Sequence, residues 1–316
     1  ANGDTATYTI ESLDDGANGE ERVRLVLSED QCARRAADGD LVLVRLGTAT
    51  TEAWVDVAPT IEVATPDFTK TDAAAGTFTE EVIEFSQVSA ELLSPVGSEA
   101  HEVVVLVHGG GYTGGKPELM HDLAAYLAAN GFIAVNTGYQ LATTEEAAYP
   151  DAYDDVACAV RLAAEHERSN GEVTVLGVSA GAHIATLVAL VGDQYGDGCP
   201  EQEPVLPQRL VALGLPSEID GAGPLRFLYG ETQDDAPDLW AEGDPLQHLD
   251  ANRSLRALFL HAESDSSVSS ETAERAFVGL AEAGASADYG VVPRIGHFNL
   301  NDPRAVGAAV VAWLGT

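Results

Sequence analysis

Lysine is almost absent: Lys70 and Lys116 are the only two among the 16 Lys and Arg of a chain that carries 51 Asp and Glu in 316 residues. The formal net charge is −35 and the isoelectric point near 4.2. Such a surface repels nucleic-acid phosphates and anionic lipid headgroups, so neither is an expected partner. No apolar run approaches the roughly 18 residues needed to cross a bilayer, so no membrane span is expected. Cysteine is scarce too: Cys32, Cys158 and Cys199 allow at most one internal disulfide and leave one thiol over, and no CxxC or clustered His/Cys spacing suggests a metal. Cys158 falls inside a helical pattern, where it reads as a small buried hydrophobe. One methionine, Met120, is present, and the chain opens at Ala1. That start fits a processed N-terminus and a secreted or periplasmic protein, with a trimmed cytoplasmic chain as the other reading.

What is present is an ordinary globular balance, with 45% hydrophobic and 21% charged residues and mean hydropathy near zero. The acids are scattered rather than gathered in a tail, which makes a hydrated surface. Two explanations stand side by side: adaptation to high salt, where screening relieves self-repulsion, and a plain acidic, soluble protein.

Residues 1–75 read as a small β-rich module. Short strands are expected at Tyr8 to Ser12, Arg22 to Leu27, Asp40 to Leu46 and Glu52 to Val57, the last two forming a hairpin, followed by a linker from Ala64 to Phe78. From 76 to 316 the pattern changes. A leading antiparallel pair (Glu81 to Phe85, Val88 to Leu93) precedes an apolar run at Val103 to Val107. Helices are then expected at Pro117 to Asn130, Asp151 to His166, Ala180 to Val191, Ser270 to Gly284 and Pro303 to Leu314. They alternate with strands at Phe132 to Asn136, Val173 to Gly177, Leu210 to Leu215, Ala257 to His261 and Tyr289 to Val292. Continuous Val/Ile/Leu runs mark strands buried on both faces, so the body is α/β: a mostly parallel sheet with helices on both sides.

Gly177-Val178-Ser179-Ala180-Gly181 matches G-x-S-x-G. The pattern arises by chance roughly 0.15 times in a chain of this composition, so its setting decides its weight. It follows a strand and opens a helix, as a nucleophile elbow must. A nucleophilic serine also needs donors for the oxyanion formed on attack at a carbonyl. His108-Gly109-Gly110-Gly111-Tyr112, after the Val103 to Val107 strand, supplies backbone N–H groups, and the N–H of Ala180 lies at a helix N-terminus.

For a base after Ser179 the candidates are His183, His248, His261 and His297. His183 is four residues on, along the same helix, and cannot sit over the hydroxyl. His248 and His261 end regular elements and read as structural. His297 stands in the loop before the last helix, beside Gly296, where it can reach back. The orienting acid is Asp265, in the loop past the Ala257 to His261 strand, with Glu263 as the alternative.

These ordered motifs resemble the α/β-hydrolase superfamily, and within it the serine esterases similar to hormone-sensitive lipase and the acetyl-ester and feruloyl-ester hydrolases. The resemblance covers Glu80 to Thr316. It rests on His108 to Tyr112, Gly138 to Ala142 with Tyr149-Pro150 and Tyr153 to Val156, Gly177 to His183, Asp244 to His248, Asp265 to Val268, and Gly296-His297. It implies Ser179 as nucleophile, Asp265 as acid and His297 as base. It also implies Gly110, Gly111 and Ala180 as oxyanion donors with Tyr112 beside them at the substrate, and no cofactor or metal. The partner expected is a small-molecule or polymer-linked ester. Three departures stand out: Gln140 where the group commonly has Arg, Ser-Ala-Gly-Ala rather than Ser-Ala-Gly-Gly at the elbow, and an N-terminal 75 residues that match nothing in the group.

If the acidity is an adaptation to salt, the melting temperature rises from low ionic strength to molar salt; a flat or falling series assigns it to plain solubility.

Overall fold

The computed structural model describes residues 78–85, 87–199, 203–216 and 225–315, and before them the backbone of four strands. Those four are β1 (Tyr8–Asp14), β2 (Glu21–Leu27), β3 (Leu43–Ala49) and β4 (Glu52–Val57). Then follow β5 (Phe78–Phe85), β6 (Val88–Pro95), β7 (His101–Val107), α1 (His121–Ala129), β8 (Ile133–Thr137), α2 (Asp151–Ala164), β9 (Ser169–Val178) and α3 (Ala180–Val191). The chain continues through β10 (Arg209–Leu213), two short helices α4 (Leu225–Tyr229) and α5 (Pro237–Gly243), β11 (Arg256–Ala262), α6 (Glu271–Ala283), β12 (Ser286–Val292) and α7 (Pro303–Leu314).

Strand β7 shows why this sequence makes a two-sided sheet. Val103 to Val107 is uninterrupted aliphatic residues, and all five are wholly buried. Val103, Val105 and Val107 point into one core, with Tyr153, Val156 and Ile184 of α2 and α3. Val104 and Leu106 point into the other, with Leu123 and Leu127 of α1 and Val306 and Val310 of α7. A strand with water on one side would alternate with polar residues; this one has helices on both.

The large sheet runs β4-β3-β12-β11-β10-β9-β7-β8-β6-β5. Strands β8, β7, β9, β10, β11 and β12 are parallel, whereas β6 lies antiparallel on β8 and β5 on β6. At the other edge β3 lies antiparallel on β12 and hairpins with β4, while β1 and β2 form their own antiparallel pair. The expected linker lies outside the described residues, apart from Phe78, which opens β5.

Element boundaries differ where hydrogen bonding overrides periodicity. The expected helix from Pro117 begins as a single tight turn, Pro117–Leu119, and turns α-helical only at His121. Strand β9 starts at Ser169, earlier than its apolar run, because His101 of β7 pairs with Ser169 across a bulge. Among the described residues no helix is long and apolar enough to cross a membrane.

Cys158 differs in role as well. It is buried, as expected, but it is bonded to Cys199, with Cα atoms 5.3 Å apart. The helical pattern around Cys158 says nothing of a partner 41 residues on, so the pairing is a tertiary fact. Beside it, Asp154 accepts the amides of Gly196 and Asp197, and Arg161 donates to the carbonyl of Tyr195. The segment after α3 is thereby tied to α2. Closing a loop of that length stabilises by about 4 kcal/mol in the chain-entropy model. Reduction, or Cys158→Ser with Cys199→Ser, is expected to lower the melting temperature by several degrees in thermal unfolding followed by circular dichroism, with no loss of secondary structure at 25 °C.

Candidate active site

Parallel pairing of β7 with β9 sets Val107 beside Gly177, so the two loops that leave these strands emerge together at the carboxyl edge of the sheet. Strand β8 adjoins β7 on its other side, which makes this the place where strand order reverses, the position at which open α/β sheets commonly bind ligands. His108 to Tyr112 leaves one strand there and Ser179 leaves the other.

The turn at Ser179 is strained: its backbone sits at φ 56° and ψ −123°. Such a conformation costs a serine about 1–3 kcal/mol and persists only where the surroundings enforce it. The flanking glycines make room for the enforcement. A Cβ on Gly177 would lie 2.1 Å from the carbonyl oxygen of Gly181, and one on Gly181 would lie 2.3 Å and 2.4 Å from the carbonyl oxygens of Val107 and His108. The Ser179 amide donates to Leu213 of β10, which anchors the turn to the next strand.

His297 and Asp265 meet this hydroxyl. The Nε2 atom of His297 is 2.9 Å from Ser179 Oγ, and its Nδ1 is 2.7 Å from Asp265 Oδ2. The other carboxylate oxygen, Oδ1, accepts the amides of Ser267 and Val268 at 2.9 Å and 2.8 Å. Burial of this side chain pushes its pKa up, but the Val268 amide, His297 and the Ser267 amide together outweigh that and hold it below the usual aspartate value. An ionised Asp265 fixes the proton of His297 on Nδ1, leaving Nε2 as acceptor toward the serine. Glu263 is turned elsewhere, its Oε2 accepting the amide of Arg294.

The glycine run is held from beneath. His108 is buried, stacks on Tyr139 with ring centroids 4.4 Å apart, and its Nδ1 is 2.8 Å from the carbonyl oxygen of Gly109. Burial lowers its pKa, which keeps the ring neutral. The Tyr139 hydroxyl donates to the carbonyl of His108. Gly110, Gly111 and Tyr112 all have positive φ, at 138°, 61° and 65°, which curls the run beside the elbow. Ala180 opens α3, so its amide is one of the first-turn donors without a partner within the helix. Tyr112 departs from its expected place at the substrate. Its ring is 2% exposed and meets His183 edge-on, so the side chain is part of the core below the glycine run.

Two of the other candidate histidines have partners away from Ser179. His183 is wholly buried with Nδ1 3.2 Å from the Tyr153 hydroxyl, and His248 Nε2 lies 2.9 Å from the carbonyl of Glu242. Gln140 hydrogen-bonds through its amides: Nε2 donates to Asp151, and its backbone N–H donates to Asp155. Sequence reasoning passed over Ser267 and Val268, although Asp followed by small polar residues is the signature of a carboxylate that caps its own turn.

Residues 92–205 match the model of the BD-FAE family, a segment that holds the glycine run and Ser179 but ends before Asp265 and His297. No curated protein matches the chain in sequence. Among solved structures, a thermostable esterase from Pseudomonas putida is 22% identical over 78% of this chain and 83% of its own, with a TM-score of 0.58. A truncated carbohydrate esterase from gut microbiota is 15% identical over 77% of this chain and 98% of its own, with a TM-score of 0.62. An esterase from Thermogutta terrifontis, in a propionate-bound structure, is 17% identical over 77% and 93%, with a TM-score of 0.60. The fold is that of the α/β-hydrolases.

His183 generates a test of pH dependence. Burial pushes its pKa down to about 4, against the pull of Asp244 and of the Gly243 backbone. Between pH 4 and its ordinary 6.5 the unfolded chain binds a proton that the folded chain refuses, so stability is present above that window and is lost as pH falls through it. The loss amounts to about 3 kcal/mol. Melting temperatures from pH 7 to 4 are expected to fall more steeply for the parent than for His183→Gln.

Proposed function

We propose that this protein is a carboxylesterase-type hydrolase, a serine esterase acting on neutral short-chain acyl or aryl esters, with Ser179, His297 and Asp265 as its catalytic triad. The observation that carries the reading is the unbroken line from Ser179 Oγ through both ring nitrogens of His297 to Asp265 Oδ2. In this reading His297 Nε2 takes the Ser179 proton as Oγ attacks the ester carbonyl, and the resulting oxyanion is met by the amides of Gly110, Gly111 and Ala180. Each such donor contributes about 3 kcal/mol to the transition state. Collapse of the tetrahedral intermediate breaks the bond to the alkoxy oxygen, which leaves as the alcohol with the proton held by His297. Water then loses a proton to the same nitrogen, attacks the acyl-enzyme and frees the acid and Ser179. Asp265 holds the ring in the correct tautomer and stabilises the imidazolium. No cofactor or metal enters these steps.

Substrate charge follows from the surroundings. The segments 193–207 and 219–244, read from the sequence as a rim for the site, carry Asp193, Asp197, Glu231, Asp234, Asp235 and Asp238, and a rim of that sign disfavours anionic esters. Of these segments, residues 200–202 and 219–224 lie outside the described residues. A secreted or periplasmic setting is supported by the Cys158–Cys199 disulfide, because such bonds persist in oxidising compartments.

Ser179→Ala is expected to abolish hydrolysis of p-nitrophenyl acetate, a loss of roughly ten-thousandfold or more, with an unchanged circular dichroism spectrum. Asp265→Asn lowers kcat by at least about a hundredfold and Glu263→Gln by less than about threefold; the opposite ranking moves the acid to Glu263. Matched p-nitrophenyl ester and p-nitroanilide substrates separate esterase from amidase, since the triad specifies the nucleophile and not the leaving group. A chain that takes no fluorophosphonate label at Ser179 is instead a binding protein on this scaffold.

A further inference from the structure

Asp265 faces a second imidazole. His261 sits near the end of β11, four residues before the acid, and is 5% exposed. Its Nε2 is 3.2 Å from the carbonyl oxygen of Val268 and 3.7 Å from Asp265 Oδ2, the same oxygen that meets His297. Its other nitrogen, Nδ1, is buried and has no hydrogen-bond partner among the described residues.

These contacts assign the proton. A carbonyl oxygen only accepts, so Nε2 carries the hydrogen and donates to Val268. Nδ1 is then a bare acceptor, which burial tolerates better than an orphaned N–H; a second proton there would be a buried donor with nothing to meet. The ring is therefore built to stay neutral although a carboxylate lies beside it. Val268 completes a closed circuit, its carbonyl accepting the hydrogen bond from His261 while its amide donates to Asp265 Oδ1. The loop carrying the acid is thus pinned at both ends of one residue. At 3.7 Å the Nε2–H dipole is beyond a hydrogen bond to Oδ2 but still acts on its charge.

From this geometry we infer that His261 is a positioning residue for the reaction: it fixes the Asp265 loop through Val268 and tempers the charge that Asp265 presents to His297. The inference rests on the triad reading above. The ionisable groups that face His261 are Asp265 and His297, with Glu274 of α6 further out. Burial lowers the pKa of His261 and Asp265 raises it, with burial dominant. Removing the donor has two separable consequences. The loop loosens, which slows turnover without touching substrate affinity. The carboxylate, relieved of one dipole, also holds the His297 imidazolium more strongly, and the acidic limb of the pH profile moves up.

The test compares His261→Leu, which keeps volume and loses the donor, with His261→Gln, whose amide can restore one at similar reach. Both are made in the full chain and read by kcat and KM on p-nitrophenyl acetate, by the pH profile of kcat/KM, by melting temperature, and by NMR titration of the His297 ring, which needs no turnover. For His261→Leu we expect a fall in kcat of about tenfold with KM within about twofold. The His297 titration and the acidic limb should rise by about half a pH unit, and His261→Gln should return both toward the parent. If the His297 midpoint is the same in His261→Leu as in the parent, the inference is overturned, whether kcat holds or falls together with melting temperature. A parent that neither turns over esters nor takes a fluorophosphonate defeats the triad reading instead. The NMR titration still decides whether His261 acts on Asp265 and His297.

Discussion

The constraint on which the rest depends is the backbone at Ser179, bent into a conformation that serine avoids at the junction of β9 and α3. Parallel pairing of β7 and β9 brings the two loops side by side, two glycines allow helix and strand backbones to approach within distances that no Cβ would permit, and the Ser179 amide is fixed to β10. Because three neighbouring strands share in holding it, the hydroxyl stands at the carboxyl edge without relying on a mobile loop. A hydroxyl presented by a rigid sheet is one whose distance to a neighbouring imidazole is set by the fold.

The loops that complete the site are stiffened by other means. Asp265 is wrapped by amides of its own turn, and His297 is placed by the segment between β12 and α7. The glycine run is supported by a neutral, stacked His108 and by the Tyr139 hydroxyl. A common logic runs through the buried histidines His108, His183 and His261: burial lowers the pKa of each, so they act as neutral hydrogen-bonding struts in a protein whose surface is strongly anionic. The net negative charge and the neutral buried histidines act separately, one spread over the chain, the other holding geometry.

The relation to known esterases is uneven along the chain. The matched segment covers the half of the site that the β7 and β9 loops build, whereas Asp265 and His297 fall beyond it. That division follows from physics. A strained turn and a curled glycine run need particular residues at fixed spacing and leave a dense local signature, while an acid and a base need only to arrive at the right place, from loops of variable length.

Local chemistry was readable from the amino-acid order alone. The apolar runs of β7 and β9, the elbow glycines, the glycine run and the position of His297 before the last helix each follow from residues adjacent in the chain, because burial on both faces and positive φ impose composition directly. What lay beyond the sequence was whatever joins distant residues. That Asp265 and not Glu263 meets the His297 ring depends on which carboxylate the loop turns toward it, and the union of Cys158 with Cys199 on α2 and the segment after α3 lying together. The burial of Tyr112 followed from a positive-φ turn that drives its ring into the core, and the place of His261 beside the acid from a loop folding back on its own strand. Periodicity records how a residue meets solvent; only the folded chain records which other residue it meets.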